Sequence, residues 1–188
     1  PMYVQYFIWM RNILTRGDFG RSFQWNKPVL DVIGERIALT ATVSLLTIIF
    51  VWLVAIPIGI YSATHQYSLF DYFFTFLGFI GLATPGFVLA LVVIWFSFSK
   101  LGISVTGLFS SEYATAPWSL AKVLDMLKRI WVPIIILGVS GTASIIRVMR
   151  GTLLDELKKQ YVVTAKAKGL KNSVLLFKYP VRVAINPL

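Results

Sequence analysis

Thr164-Ala165-Lys166-Ala167-Lys168-Gly169-Leu170-Lys171 sets small side chains and three lysines around one glycine. No acid, thiol or imidazole lies among them. The chemistry on offer is contact rather than bond making: a tight turn, close approach by small groups, and ammonium donors for a polar partner. Groups that make and break bonds are scarce elsewhere too. The chain has no cysteine, which removes disulfides, thiolate metal sites and thiol nucleophiles. His65 is the one histidine and has no second imidazole to share a metal with. No Walker A loop, G-x-S-x-G or H-E-x-x-H occurs. No Asp or Glu pair sits inside an apolar run, where a proton relay would need it. No catalytic residue, no metal ligand and no cofactor bound by this chain is therefore expected, ATP included.

The elements that must position such a turn are apolar. Of 188 residues, 57% are hydrophobic, and the mean hydropathy is +0.74. Soluble domains run to about 45–50% apolar, and a chain this short cannot hide the excess from water. Lipid is the simpler solvent. The net charge of +10 is unevenly placed. Nine of the 18 Lys and Arg fall between Arg147 and Arg182, directly after an apolar run. That clustering suits the positive-inside rule and argues against nucleic acid as a partner.

Three uncharged runs are expected to span the membrane. Residues 37–61 form the first, with Pro57 and Gly59 near its end. Residues 72–99 form the second, interrupted by Thr84-Pro85-Gly86, where proline removes a backbone hydrogen bond that protein or water must replace. The third, 130–149, holds the 17 uncharged residues Ile130 to Ile146 and ends on Arg147 and Arg150, which can snorkel to headgroups. Its second half is small (Gly138, Ser140, Gly141, Thr142, Ala143, Ser144), which predicts close helix packing inside a bundle. Thr84, Pro85, Ser140 and Thr142 are the small or polar groups at membrane depth and the candidates to line a pathway, with plain helix packing as the rival reading.

The basic C-terminal segment places itself in the cytoplasm. Residues 1–36, rich in aromatics and carrying five Lys and Arg, then lie at the extracytoplasmic interface, with a turn at Gly17-Asp18-Phe19-Gly20 and a short helix at 28–35. Residues 62–71 lie inside, although they hold no Lys or Arg. Residues 100–129 form an extracytoplasmic loop. Within it Ser119 caps a surface helix that carries Leu120, Val123, Leu124, Leu127 and Trp131 on one face, with Trp118 and Trp131 as interface anchors. An outside start requires an earlier span, so the chain reads as a piece of a longer protein.

The segment 153–179 is expected to form a cytoplasmic helix–turn–helix. Leu153, Leu157, Tyr161 and Thr164/Ala165 recur at helical spacing, and Asp155 and Lys159 form an i,i+4 pair. Gly169 offers a left-handed cap. Asn172 or Ser173 can cap a second helix that runs from Val174 to Tyr179, and Pro180 bends or restarts it. A lipid-bound surface helix and a solvated loop compete with a docking element. The small side chains at the tip favour docking.

Here the sequence resembles a known family. Tyr161 to Leu170, followed by Arg182-Val183-Ala184-Ile185-Asn186-Pro187, looks like the "EAA" loop of binding-protein-dependent ABC importer permeases, most closely the dipeptide/oligopeptide branch. Pro187 follows Gly169 by eighteen residues, as in the family pattern. Four other matches occur in order: Gly17-Asp18-Phe19-Gly20-Arg21-Ser22, Glu35-Arg36, Thr84-Pro85-Gly86-Phe87 and Gly141-Thr142-Ala143. Val163 stands where the motif has its glutamate. The resemblance implies an all-α polytopic transmembrane bundle of the type I ABC importer permease kind, here three spans and a coupling helix, truncated at both ends. It implies a multi-pass protein of the bacterial or archaeal inner membrane, in contact with lipid. Its implied partners are a second permease subunit, two cytoplasmic ATPase subunits and an extracytoplasmic substrate-binding protein, with peptides as cargo. Thr164 to Lys171 would then be the ATPase-coupling residues. Gly169 would supply the turn, Ala165 and Ala167 the close contact, and Lys166, Lys168 and Lys171 the polar contacts. An ion-coupled secondary transporter, or a membrane scaffold recruiting a cytoplasmic partner, are the alternatives.

Overall fold

The structure is a computed structural model that describes residues 1–102 and 107–188, with the side chains of Glu35 and Leu101 left aside. The side chain at the expected Glu35 motif position and residues 103–106 of the expected 100–129 loop lie outside what is described. The chain divides into two compact units, Pro1–Leu45 and Leu46–Leu188.

The first unit opens with helix α1 (Met2–Arg16), which runs through a stretch read above only as aromatic and interfacial. Gly17 ends it in the left-handed conformation at φ 64°, with its N–H on the Ile13 carbonyl and the Asp18 N–H on that of Asn12. Asp18 accepts from the Gly20 N–H at 2.8 Å, and the chain enters a two-residue hairpin, β1 (Arg21–Ser22) with β2 (Lys27–Pro28), antiparallel with Arg21 opposite Pro28. Asn26 takes the positive φ that the turn needs. Helix α2 (Val29–Thr64) follows without interruption. The expected short helix and first span are thus one helix, and Pro57 sits inside it.

In the second unit the remaining part of α2, α3 (Leu69–Ala83), α4 (Gly86–Leu101) and α6 (Trp131–Leu157) make the apolar body. Helices α2 and α6 are long and apolar enough to cross a membrane, and α3 with α4 make a third crossing if the pair counts as one span. The interruption expected at Thr84-Pro85-Gly86 falls between α3 and α4, which meet at 107°. Proline disfavours helical ψ in the residue before it, and Thr84 sits at φ −82°, ψ 120°. Pro85 then precedes the first turn of α4. Many large apolar side chains on α2, α3 and α4 face outward, among them Leu53, Phe76, Leu91 and Trp95. In water this would be an association surface; against lipid it is solvated.

Helix α6 is the axis of the unit, with α3, α4 and α9 packed on it. Its small residues serve the packing expected of them: Gly138 and Ala143 are buried. A Cβ on Gly138 would lie 3.1 Å from the Phe50 ring. Across the seam, one on Gly81 would lie 2.8 Å from Val139, and one on Gly59 2.7 Å from Met149. Glycine at these places is what lets the backbones approach.

Helix α5 (Leu120–Arg129) precedes α6 and starts at a Ser119 cap, whose Oγ accepts from the Lys122 N–H at 3.2 Å. Leu120, Leu124 and Leu127 are exposed along one face. Lys122 and Met126 turn inward. The Lys122 ammonium donates to the Ala116 carbonyl at 2.6 Å and lies over the Phe109 and Trp118 rings. Asp125 accepts from the Ser110 N–H at 2.7 Å, which holds its carboxyl below the usual carboxylate range. The loop is thereby stapled to the helix.

Candidate functional site

The basic segment folds as three short helices, α7 (Gln160–Ala167), α8 (Asn172–Lys178) and α9 (Pro180–Ala184). Helix α6 runs on past Arg150 to Leu157, so Leu153 belongs to it and not to the loop helix. The Lys158 and Lys159 N–H groups turn back to Asp155 and Glu156 carbonyls, and Lys159 goes extended at ψ 148°. This break resets the helical phase. Of the face expected through Tyr161 and Thr164/Ala165, Tyr161 and Thr164 are exposed while Ala165 is buried, with Val162 beside it. Asp155 and Lys159 no longer share a helix, so the expected i,i+4 pair is corrected too. Tyr161 bridges the break instead, donating to Glu156 at 2.6 Å. Burial and that carboxylate push the phenol up to about 12.

Gly169 adopts φ 77°, with its N–H on the Lys166 carbonyl at 3.0 Å. Helix α8 begins at Asn172 with Lys171 at the cap position and no side-chain cap, in place of the expected Asn172 or Ser173. Pro180 restarts the chain as the first residue of α9, where its missing N–H costs nothing. Val162 and Ala165 pack on Leu175 with Leu170 and Tyr179 around them. Ala165 is therefore spent inside the hairpin. Thr164, Lys166, Ala167, Lys168, Gly169 and Lys171 are exposed, and Leu170 is half-buried. The presented surface is a small-residue turn flanked by lysines.

A second core joins the hairpin to the span above it. Met149 and Leu153 of α6, Val181 and Ala184 of α9 and Ala63 of α2 are buried together, with Leu176 of α8 packed against them. Thr152 of α6 donates to the Ala184 carbonyl at 3.1 Å.

The four candidate pathway residues part company. Thr84 and Thr142 line one apolar cleft of about 400 Å³, along with Phe50, Ile58, Leu77 and Ile146. The Thr142 hydroxyl is buried with no hydrogen-bond partner among the described residues. Ser140 instead donates to the Gly81 carbonyl at 3.3 Å, and Pro85 is exposed at the bend.

One feature had no sequence signal. Arg150, read as a snorkelling residue, grips Asp71 with Nε to Oδ1 at 3.1 Å and Nη2 to Oδ2 at 3.0 Å. The partners stand 79 positions apart, beyond any local pattern.

Residues 55–188, which hold Thr84 and Thr142 of the cleft, the Arg150 contact and the hairpin, match the family described as "Binding-protein-dependent transport system inner membrane component". The chain belongs to this family of inner membrane transport components. Among curated relatives, this family member is 34% identical to the oligopeptide transport system permease protein AppB of Bacillus subtilis (strain 168), covering 100% of the chain and 58% of that protein. It is 31% identical to the dipeptide transport system permease protein DppB of Alkalihalophilus pseudofirmus, covering 100% and 60%. It is 33% identical to the inner membrane ABC transporter permease protein YejB of Escherichia coli O157:H7, covering 98% and 51%. The chain thus spans about 51–60% of the length of these relatives. The inner membrane setting in the family's description agrees with the apolar helices described above.

Proposed function

We propose that this chain is part of a permease subunit that forms the translocation pathway of a peptide ABC importer in a bacterial or archaeal inner membrane. It works with a second permease subunit, two cytoplasmic ATPase subunits that hydrolyse ATP, and an extracytoplasmic substrate-binding protein. Peptide cargo is favoured because the similar proteins are named for oligopeptide and dipeptide transport.

The observation that carries the reading is the α7–Gly169–α8 hairpin. Its tip presents Lys166, Ala167, Lys168 and Lys171 outward, and Leu176 of α8 together with the following helix α9 joins it to the end of α6. A partner that grips the tip can therefore pull on a transmembrane helix. The apolar cleft lined by Thr84 and Thr142 is the favoured stretch of pathway, since it lies beside the bend between α3 and α4. Ser140, already bonded to backbone, is better read as packing.

Membrane vesicles bearing the assembled transporter test this directly. ATP-dependent peptide uptake is expected, and Gly169→Val is expected to reduce uptake at least tenfold while membrane insertion persists. Uptake that survives without ATP would mean an ion-coupled carrier; no uptake at all would mean a scaffold.

A further inference from the structure

We propose that the Asp71–Arg150 pair is a strut that locks α3 to α6, so that displacement of the hairpin reaches the bend at Thr84-Pro85. The inference rests on the importer reading above and adds a positioning pair to it.

The geometry is that of a clamp. Asp71 is 2% exposed and meets the guanidinium through both oxygens. Bidentate contacts of this kind fix orientation as well as distance. Asp71 is anchored on its own side too: its Oδ2 accepts from the Tyr67 N–H at 3.0 Å, and its own N–H donates to the Ser68 cap at 3.2 Å. The carboxylate thus ties the α2–α3 turn, where Tyr67 takes a positive φ of 62°, to the first turn of α3. On the other side, Arg150 lies between Met149 and Leu153, whose side chains bind α6 to α9.

From the pair the seam runs in step towards the bend. Asp71 meets Arg150, Gly78 faces Ala143, and Gly81 faces Val139 while its carbonyl accepts from Ser140. Seven residues along α3 are matched by seven back along α6, and the next three by three to four, as in an antiparallel pair. The middle of this seam is glycine against small apolar side chains, which resists separation but offers little against sliding. The ion pair supplies the register. It sits at the hairpin end, and the other end of the seam is within one turn of Thr84. Breaking it leaves the hairpin free to move α6 without carrying α3.

The test compares peptide uptake per ATP hydrolysed in proteoliposomes of the full-length permease with its partner subunits. Expected for Asp71→Asn and for Arg150→Gln is ATP hydrolysis within twofold of the unaltered protein and uptake per ATP reduced at least fivefold. In Asp71→Cys/Arg150→Cys, with any cysteine elsewhere in the full-length protein replaced by serine, a short bis-methanethiosulfonate crosslinker, which forms a mixed disulfide with each thiol and releases sulfinate, is expected to restore that ratio, and reducing those disulfides to lose it again. An unchanged ratio in either single variant overturns the strut. So does a parallel loss of uptake and hydrolysis with lowered thermal stability, which marks a merely structural pair. Failure of the linker to restore the ratio overturns it as well. Absence of ATP-driven uptake in the unaltered protein would instead overturn the importer reading itself.

Discussion

Ala165 and Ala167 are two residues apart and alike in chemistry, yet the structure separates their roles. Ala165 fills the small space between Val162 and Leu175, and Ala167 faces out. Ala165→Leu is expected to overpack the hairpin and weaken it by about 1–3 kcal/mol, read as lost hydrogen-exchange protection over residues 160–179. Ala167→Leu is expected to stay within about 0.5 kcal/mol in the same measurement and to act only where a partner docks. Gly169 differs from both. A Cβ there meets nothing within 4 Å, but its φ of 77° strains any L side chain, at about 1–2 kcal/mol. Tyr161 adds a pH dependence. Its folded pKa is raised, so the Tyr161–Glu156 contact is fully present below the ordinary phenol range and fails as pH rises from about 10 through about 12. The hairpin base is expected to hold its exchange protection from neutral pH to about 9 and to lose it above that range, with Tyr161→Phe removing the transition. The stripe read from Leu153 onward included Ala165, which is buried, but also Tyr161 and Thr164, which are exposed, because it ran through a break at Lys158–Lys159 that two 3₁₀-type hydrogen bonds create.

At the scale of elements, the apolar runs and the turn at Gly169 were legible because each rests on local physics: span length, absence of charge, and a left-handed residue. The bend at Thr84-Pro85 was legible in kind but not in size, since the 107° angle depends on what α3 and α4 pack against. The extension of α6 to Leu157 was missed because Arg147 and Arg150 were taken as its end; a helix is free to continue past the membrane once its backbone bonds are made. Helix α1 was missed for another reason. It buries no residue and has no acid in its first turn, so neither an inward stripe nor a charge signal marks it. Close approach of elements gives a paired test. Gly59→Ala would put a Cβ 2.7 Å from the Met149 Cβ, where no flexible side-chain end can yield. It is expected to cost about 1–3 kcal/mol, seen as a lowered thermal midpoint in detergent. Gly151→Ala, also helical, meets nothing within 4 Å and is expected to be neutral or to gain up to about 1 kcal/mol.

For the whole molecule, two parts make a functional claim together: a hairpin with a small, basic tip and a transmembrane helix whose end is packed into the hairpin's base. Neither suffices alone. A basic tip without the α6 connection would be a lipid-facing loop, and α6 without the tip would be one span among others. What joins them is the core of Met149, Leu153, Val181 and Ala184, assembled from segments about thirty residues apart in a chain otherwise dominated by apolar periodicity. The central claim is that this tip seats on an ATPase subunit. Residues 1–188 hold no cysteine, which permits a clean test: place a single cysteine at Ala167, replace any cysteine elsewhere in the full-length permease by serine, co-express it with its ATPase subunit, and treat membranes with a short thiol-reactive crosslinker. A covalent permease–ATPase product is expected, with a yield that changes between nucleotide-free and ATP-bound states. A cysteine at Ala167 that labels freely with a soluble maleimide yet gives no ATPase product in either state would contradict it.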